Sequence, residues 1–150
     1  MIMVCKARNR PVKDELVKAL AAAVKASGVD FVTITSGLQP GTTGRRVGTG
    51  RHDTGLAADL FVTYKDRKLD RSKIQDQAIL TRFVKAAIAN GIRAGGMSKG
   101  YMGKYTMHLD MLGAYAGESG LLAKVARYNG NLAIWRSDSW FKSAFGFKDA

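Results

Sequence analysis

The two histidines of the chain, His52 and His108, stand in two short segments of similar character. The first reads Gly48-Thr-Gly-Arg-His-Asp-Thr-Gly-Leu-Ala-Ala-Asp-Leu60, the second Tyr105-Thr-Met-His-Leu-Asp-Met111. Asp59 lies where the turn formers Asp53, Thr54 and Gly55 have given way to an apolar, strand-like run. Two imidazoles and one carboxylate suit a catalytic zinc ion, whose fourth position stays open to water, and they suit other divalent ions as well. Zinc ligands must be held at about 2.0–2.2 Å with fixed direction. A loop–strand junction carrying His52 and Asp59, beside a strand carrying His108, meets that need. Gly55 lets the backbone pass close to the site, and Ala57 and Ala58 keep the strand start small.

Strand alternation places His108 on one face together with Thr106 and Asp110. Asp110 has two readings at this point: proton acceptor for an attacking water, or partner that orients an imidazole. Asp53 and Glu118 are further acidic candidates. Arg45, Arg46 and Arg51, in the same loop as His52, carry charge suited to bidentate contact with a substrate carboxylate.

The elements that must position these groups follow from periodicity. Residues 11–27 read as a helix: Pro11 near its first turn, Asp14 and Glu15 at its positive end, Gly28 as its stop. Leu16, Leu20, Ala23 and Val24 form its apolar stripe. A β-branched run over 31–35 predicts a strand. Residues 36–55 form a long loop of Gly, Thr and Arg without periodicity, the kind of loop that carries function. A strand is expected over 56–64 and a turn or exposed excursion over 65–68. A second helix over 74–90 would bury Ile74, Ala78, Leu80, Phe83, Val84, Ala87 and Ile88 and stop at Gly91. A glycine-rich passage over 92–103 leads to a strand over 106–112. A third helix is expected over 118–128, ended by Asn129-Gly130. The tail holds Trp135, Trp140, Phe141, Phe145 and Phe147, read as core or as a tail packed on the sheet. The order predicts an α+β fold: helices on a small, largely antiparallel sheet, with the zinc site at strand ends.

Composition sets the frame. At 150 residues one domain, 1–150, is expected. Its net charge of +12 draws it toward anionic polymers: nucleic acid, acidic lipid surfaces, or a wall rich in phosphate and carboxylate. A single cysteine, Cys5, excludes an intrachain disulfide and a cysteine-rich zinc module. No stretch approaches the ~18 apolar residues of a membrane span, and the N-terminal apolar run is too short for a secretory signal. Synthesis as a soluble cytoplasmic protein, monomeric, is the resulting expectation.

His52-Asp-Thr-Gly-Leu-Ala-Ala-Asp59 resembles the His-x-x-Gly-x-Ala-x-Asp signature of the zinc D-alanyl-D-alanine carboxypeptidase family. That family includes phage endolysins that cut L-alanyl-D-glutamate bonds, and the hedgehog signalling domain shares its fold. Met107-His-Leu-Asp110, preceded by Gly95-Gly96 and Tyr101, is similar to the branch whose second motif ends His-x-Asp. The resemblance spans roughly residues 30 to 112 and implies a Zn2+ ion held by His52, Asp59 and His108. Departures are Gly50 where the family has Ser, Tyr105 where many members have an acidic base, and Ser36-Gly37-Leu38-Gln39 in place of Ser-Gly-Tyr-Arg. Gln39 thus takes the position of an arginine that polarises the substrate carbonyl, and Arg45, Arg46 and Arg51 are the nearby replacements. Asp110 is the expected proton carrier.

Three functions follow as expectations. The leading one is a zinc metallopeptidase, of carboxypeptidase or endopeptidase type, that hydrolyses an amide bond in peptidoglycan stem peptides. It would be a phage or prophage endolysin, released to the cell wall or periplasm or carried in a phage particle, and drawn to anionic wall polymers. The alternative is a metal-bearing, non-catalytic phage or wall-binding module. The third, nucleic-acid binding, rests on charge alone, lacks a recognition motif and is expected to be non-specific.

Overall fold

The computed structural model describes residues 4–6, 12–37, 49–52, 54–114 and 124–148. Its frame is an eight-stranded mixed sheet, mostly antiparallel, with helices packed on it. The strands are β1 (Val4–Lys6), β2 (Phe31–Ser36), β3 (Ala57–Tyr64), β4 (Arg67–Lys68), β5 (Ala94–Gly96), β6 (Met107–Asp110), β7 (Arg127–Asn129) and β8 (Leu132–Ile134). They run in the order β1-β2-β3-β6-β5-β8-β7, with β4 hairpinned onto β3. Among the described residues, only the β1–β2 and β5–β8 pairs are parallel. The helices are α1 (Asp14–Ser27), α2 (Thr49–His52), α3 (Ile74–Ala89) and α4 (Ser139–Ala144).

Alternation along the central strands gives the sheet two different faces. Leu60 and Val62 of β3, Met107 and Leu109 of β6, and Val32 and Ile34 of β2 are buried against Leu16, Leu20, Leu80, Phe83 and Val84 of the helices. The intervening residues, Asp59 and Phe61 on β3 with His108 and Asp110 on β6, point to the other face. The α1 stripe is buried as its spacing predicts, and Gly28 ends the helix in the left-handed conformation at φ 78°.

Three expectations change. Ile74 is 80% exposed and Ala78 is exposed, because the first inward position of α3 belongs to Asp76. Asp76 is two residues past Ile74, about 200° around the helix, and its buried carboxylate accepts both guanidinium branches of Arg67 and the Asp70 N–H. The expected third helix does not reach Tyr128. Residues 118–123 lie outside the described residues, Lys124 and Val125 are helical, and Arg127–Asn129 pairs with β8 as a strand. Finally, His52 lies on a short helical turn, α2, rather than in irregular loop.

Candidate metal centre

The site is assembled from α2 and the open faces of β3 and β6. Asp59 and His108 are direct cross-strand partners, so both side chains rise from the same face of the sheet, inside the strands rather than beyond their ends. His52 is brought over them by the turn that follows α2. There the Thr54 hydroxyl donates to the Arg51 carbonyl at 2.7 Å and accepts the Leu56 N–H at 3.1 Å. Gly55 takes a left-handed φ of 77° that favours glycine, and its carbonyl accepts the Lys13 N–H at the start of α1.

One nitrogen of each histidine ring faces Asp59. The Asp59 Oδ1 lies 3.1 Å from His108 Nδ1 and 3.3 Å from His52 Nε2. All three potential ligand atoms fall within 4.8 Å of one another. Donors on a tetrahedral zinc at the usual bond lengths stand roughly 3.4 Å apart, so modest side-chain adjustment would close the set on an ion. The opposite ring nitrogens are also held. His52 Nδ1 lies 3.1 Å from the Gly37 carbonyl, which can only accept, so Nδ1 carries the proton there. His108 Nε2 donates to Asp110 Oδ2 at 2.7 Å. Each imidazole is thereby oriented to offer its other nitrogen inward, the arrangement that metal-binding histidines adopt. The residues fit a divalent ion.

Behind His108 the site is packed and ionic. Arg51, fully buried, donates to both Asp110 oxygens at 3.1 and 2.8 Å and to the Gly113 carbonyl at 2.7 Å. Leu112 and Gly113 N–H groups also donate to Asp110 Oδ1. Asp110, the expected proton carrier, thus has its buried oxygens occupied by these donors and by His108. Arg51, expected to supply charge to a substrate, has its guanidinium on Asp110 and Gly113, stacked 4.8 Å from the Trp135 ring centre. Gln39, Arg45, Arg46, Asp53 and Glu118 lie outside the described residues.

Electrostatics follow from this geometry. Burial raises the carboxyl pKa of Asp59, but hydrogen bonds from His108 and His52 outweigh it and bring the group down to about 2. Burial lowers the His108 pKa, yet hydrogen bonding to Asp110 and Asp59 prevails and lifts it to about 9. For Asp110 burial again opposes ionisation, and His108 and Arg51 overcome it, so its carboxyl is held below the usual range. Two carboxylates and one guanidinium leave the cluster one charge short of neutrality, which a proton on His108 or a bound cation supplies.

Trp135, read from the sequence as core, is buried, and its place beside His108 is new. Its ring packs 4.9 Å from His108, and its indole N–H donates to the Tyr101 hydroxyl at 2.9 Å. Gly96 makes the room: a Cβ there would lie 2.9 Å from Trp135 Nε1. Burial pushes the Tyr101 phenol well above its ordinary pKa. No local pattern marks Trp135, because β8 reaches the site only through its parallel pairing with β5. No helix among the described residues is long and apolar enough to cross a membrane. No family model, curated protein or solved structure matches the chain.

Proposed function

We propose that this chain is a zinc-dependent peptidase that hydrolyses an amide bond in bacterial peptidoglycan stem peptides, in the manner of a phage or prophage endolysin. The observation that carries the reading is the convergence of His52 Nε2, Asp59 Oδ1 and His108 Nδ1 on one point. A zinc ion held by these residues would polarise the scissile carbonyl and make water a competent nucleophile near neutral pH. The protein's own contribution is orientation. Arg51 holds Asp110, Asp110 holds His108, Gly37 holds His52, and Trp135 backs the His108 ring. With Asp110 occupied, the acidic candidates for taking the water's proton are Asp53 and Glu118, which Asp53→Asn and Glu118→Gln variants tell apart. Net charge of +12 favours accumulation on an anionic wall.

Incubating the zinc-loaded protein with purified peptidoglycan, then identifying released fragments by mass spectrometry, tests the reading. Wild type should liberate fragments with one new amine and one new carboxylate, and His108→Ala should liberate none. A second reading, a metal-bearing wall-binding module without catalysis, is favoured by the occupied Asp110 and by Tyr105 standing where an acid is usual. Stoichiometric zinc together with no fragment release would select it.

A further inference from the structure

The open face of the sheet continues beyond the metal-capable residues. Phe61 follows Asp59 by two positions on β3 and therefore shares its face, about 7 Å further along the strand. Lys68 of β4 lies opposite Thr63 in the adjoining ladder. Its ammonium sits 4.3 Å from the Phe61 ring centre and 5.6 Å from that of Tyr105. A depression of about 390 Å³ opens here, lined by Arg67, Lys68, Asp70, Lys73 and Tyr105. We propose that this depression is a subsite for a carboxylate on the peptide whose amide bond meets the His52–Asp59–His108 cluster.

Three observations support a binding role over a merely solvated face. First, the charges are sorted. Arg67 is matched by Asp76 and Arg71 by Asp138, whereas no described carboxylate lies within ion-pair distance of Lys68 or Lys73. The Asp70 carboxylate accepts the Ser72 N–H and hydroxyl, with Lys73 and Lys104 near enough to favour its ionised form. With Arg67 matched, the lining leaves Lys68 and Lys73 against the one carboxylate of Asp70. Second, the residues between those of the lining are anchored. Leu69 is fully buried, the Arg71 N–H donates to the Lys104 carbonyl at 3.0 Å, and its side chain donates to the Gly103 carbonyl and Asp138. Third, Lys68 is held in place by the two aromatic rings, so less side-chain freedom is lost when it meets an anion.

The inference rests on the peptidase reading for the identity of the ligand, and its test is separable from that reading. Two synthetic tripeptides, L-Ala-γ-D-Glu-L-Lys with the glutamyl α-carboxylate free or amidated, are titrated into the isotope-labelled full chain by NMR. The free acid should bind about fivefold more tightly, as expected for one or two partly exposed charge contacts. The preference should shrink with added salt. Amide signals of Lys68, Lys73 and Tyr105 should move with the free acid. In a Lys68→Gln/Lys73→Gln variant the preference should vanish, and Lys68→Arg/Lys73→Arg should restore it. Equal affinity for the two peptides, an unchanged preference in the glutamine variant, or binding of glycerol phosphate in place of either peptide would overturn the proposal. Peptide binding at Lys68 and Lys73 without fragment release from peptidoglycan would instead remove the peptidase reading and leave the subsite standing.

Discussion

Replacing Arg51 by Met tests the claim that the buried ion pair positions the metal site. Methionine keeps an unbranched apolar stem but removes the guanidinium that donates to both Asp110 oxygens and to Gly113. Taking one partner from a buried pair costs about 3–5 kcal/mol, because the remaining charge stays buried without compensation. Asp110 still keeps the His108 N–H and two backbone N–H donors. That places Arg51→Met at the lower end, about 3 kcal/mol. In a chain of this length each kcal/mol shifts the unfolding midpoint by about 2–4 °C. Calorimetry on metal-free protein should therefore show a fall of about 6–12 °C. Zinc titration should show affinity about 10–100-fold weaker, the usual effect of losing the partners behind a ligand. Arg51→Lys, which keeps the charge and loses the fork, should fall between. A midpoint within about 2 °C of wild type, with zinc affinity unchanged, would refute the reasoning.

Other outcomes follow from the same geometry. Mass spectrometry should find about one zinc per chain, the stoichiometry of a three-ligand site, lost in His52→Ala and in His108→Ala; wild-type protein without zinc after incubation with the ion would remove the metal centre. The His108 imidazole has a folded pKa raised to about 9 from 6.5. Its stabilisation is therefore complete below pH 6.5 and lost as pH rises through 9, on the order of 3 kcal/mol at about 1.4 per unit. Urea titrations of metal-free protein at pH 6 and 10 check this, and a flat profile counts against it. Gly96→Ala would set a Cβ 2.5 Å from the Trp135 carbonyl, costing about 1–3 kcal/mol by overpacking, visible as a lower melting temperature. Ile74→Lys should change stability by less than about 0.5 kcal/mol, whereas Leu80→Ala should cost about 2–5; a large effect at Ile74 would contradict the helix face seen here.

Much of the fold was legible because its central strands and long helices obey simple periods. The run Leu60, Val62 against Asp59, Phe61 shows the two faces of β3 directly, and the α1 stripe is regular. The candidate ligands were legible because histidine is scarce in this chain and both copies sit beside strands. What escaped depends on partners far apart in sequence. Ile74 looks like a core residue until Arg67 is seen to hold Asp76 inward. Arg51 looks like a substrate-facing loop cation until β6 brings Asp110 behind it. Residues 127–129 carry no strong strand signal of their own and form β7 only because β8 offers an edge.

The same pairing sets the charge state of Asp110. An isolated carboxylate at zero exposure would be costly to ionise, yet here five donor contacts hold it ionised. Moving a proton onto it would forfeit those bonds, which makes it a poor acceptor and a firm anchor. Its negative charge, with that of Asp59, exceeds the single positive charge of Arg51. A proton on His108 and a divalent ion between the rings answer the same electrostatic demand, so they compete. Zinc affinity should accordingly fall as pH drops, with the steepest loss below the folded His108 value of about 9. The ring nitrogens nearest Asp59 Oδ1, His108 Nδ1 at 3.1 Å and His52 Nε2 at 3.3 Å, are the atoms that a proton or a divalent ion would take, so the two meet at the same place.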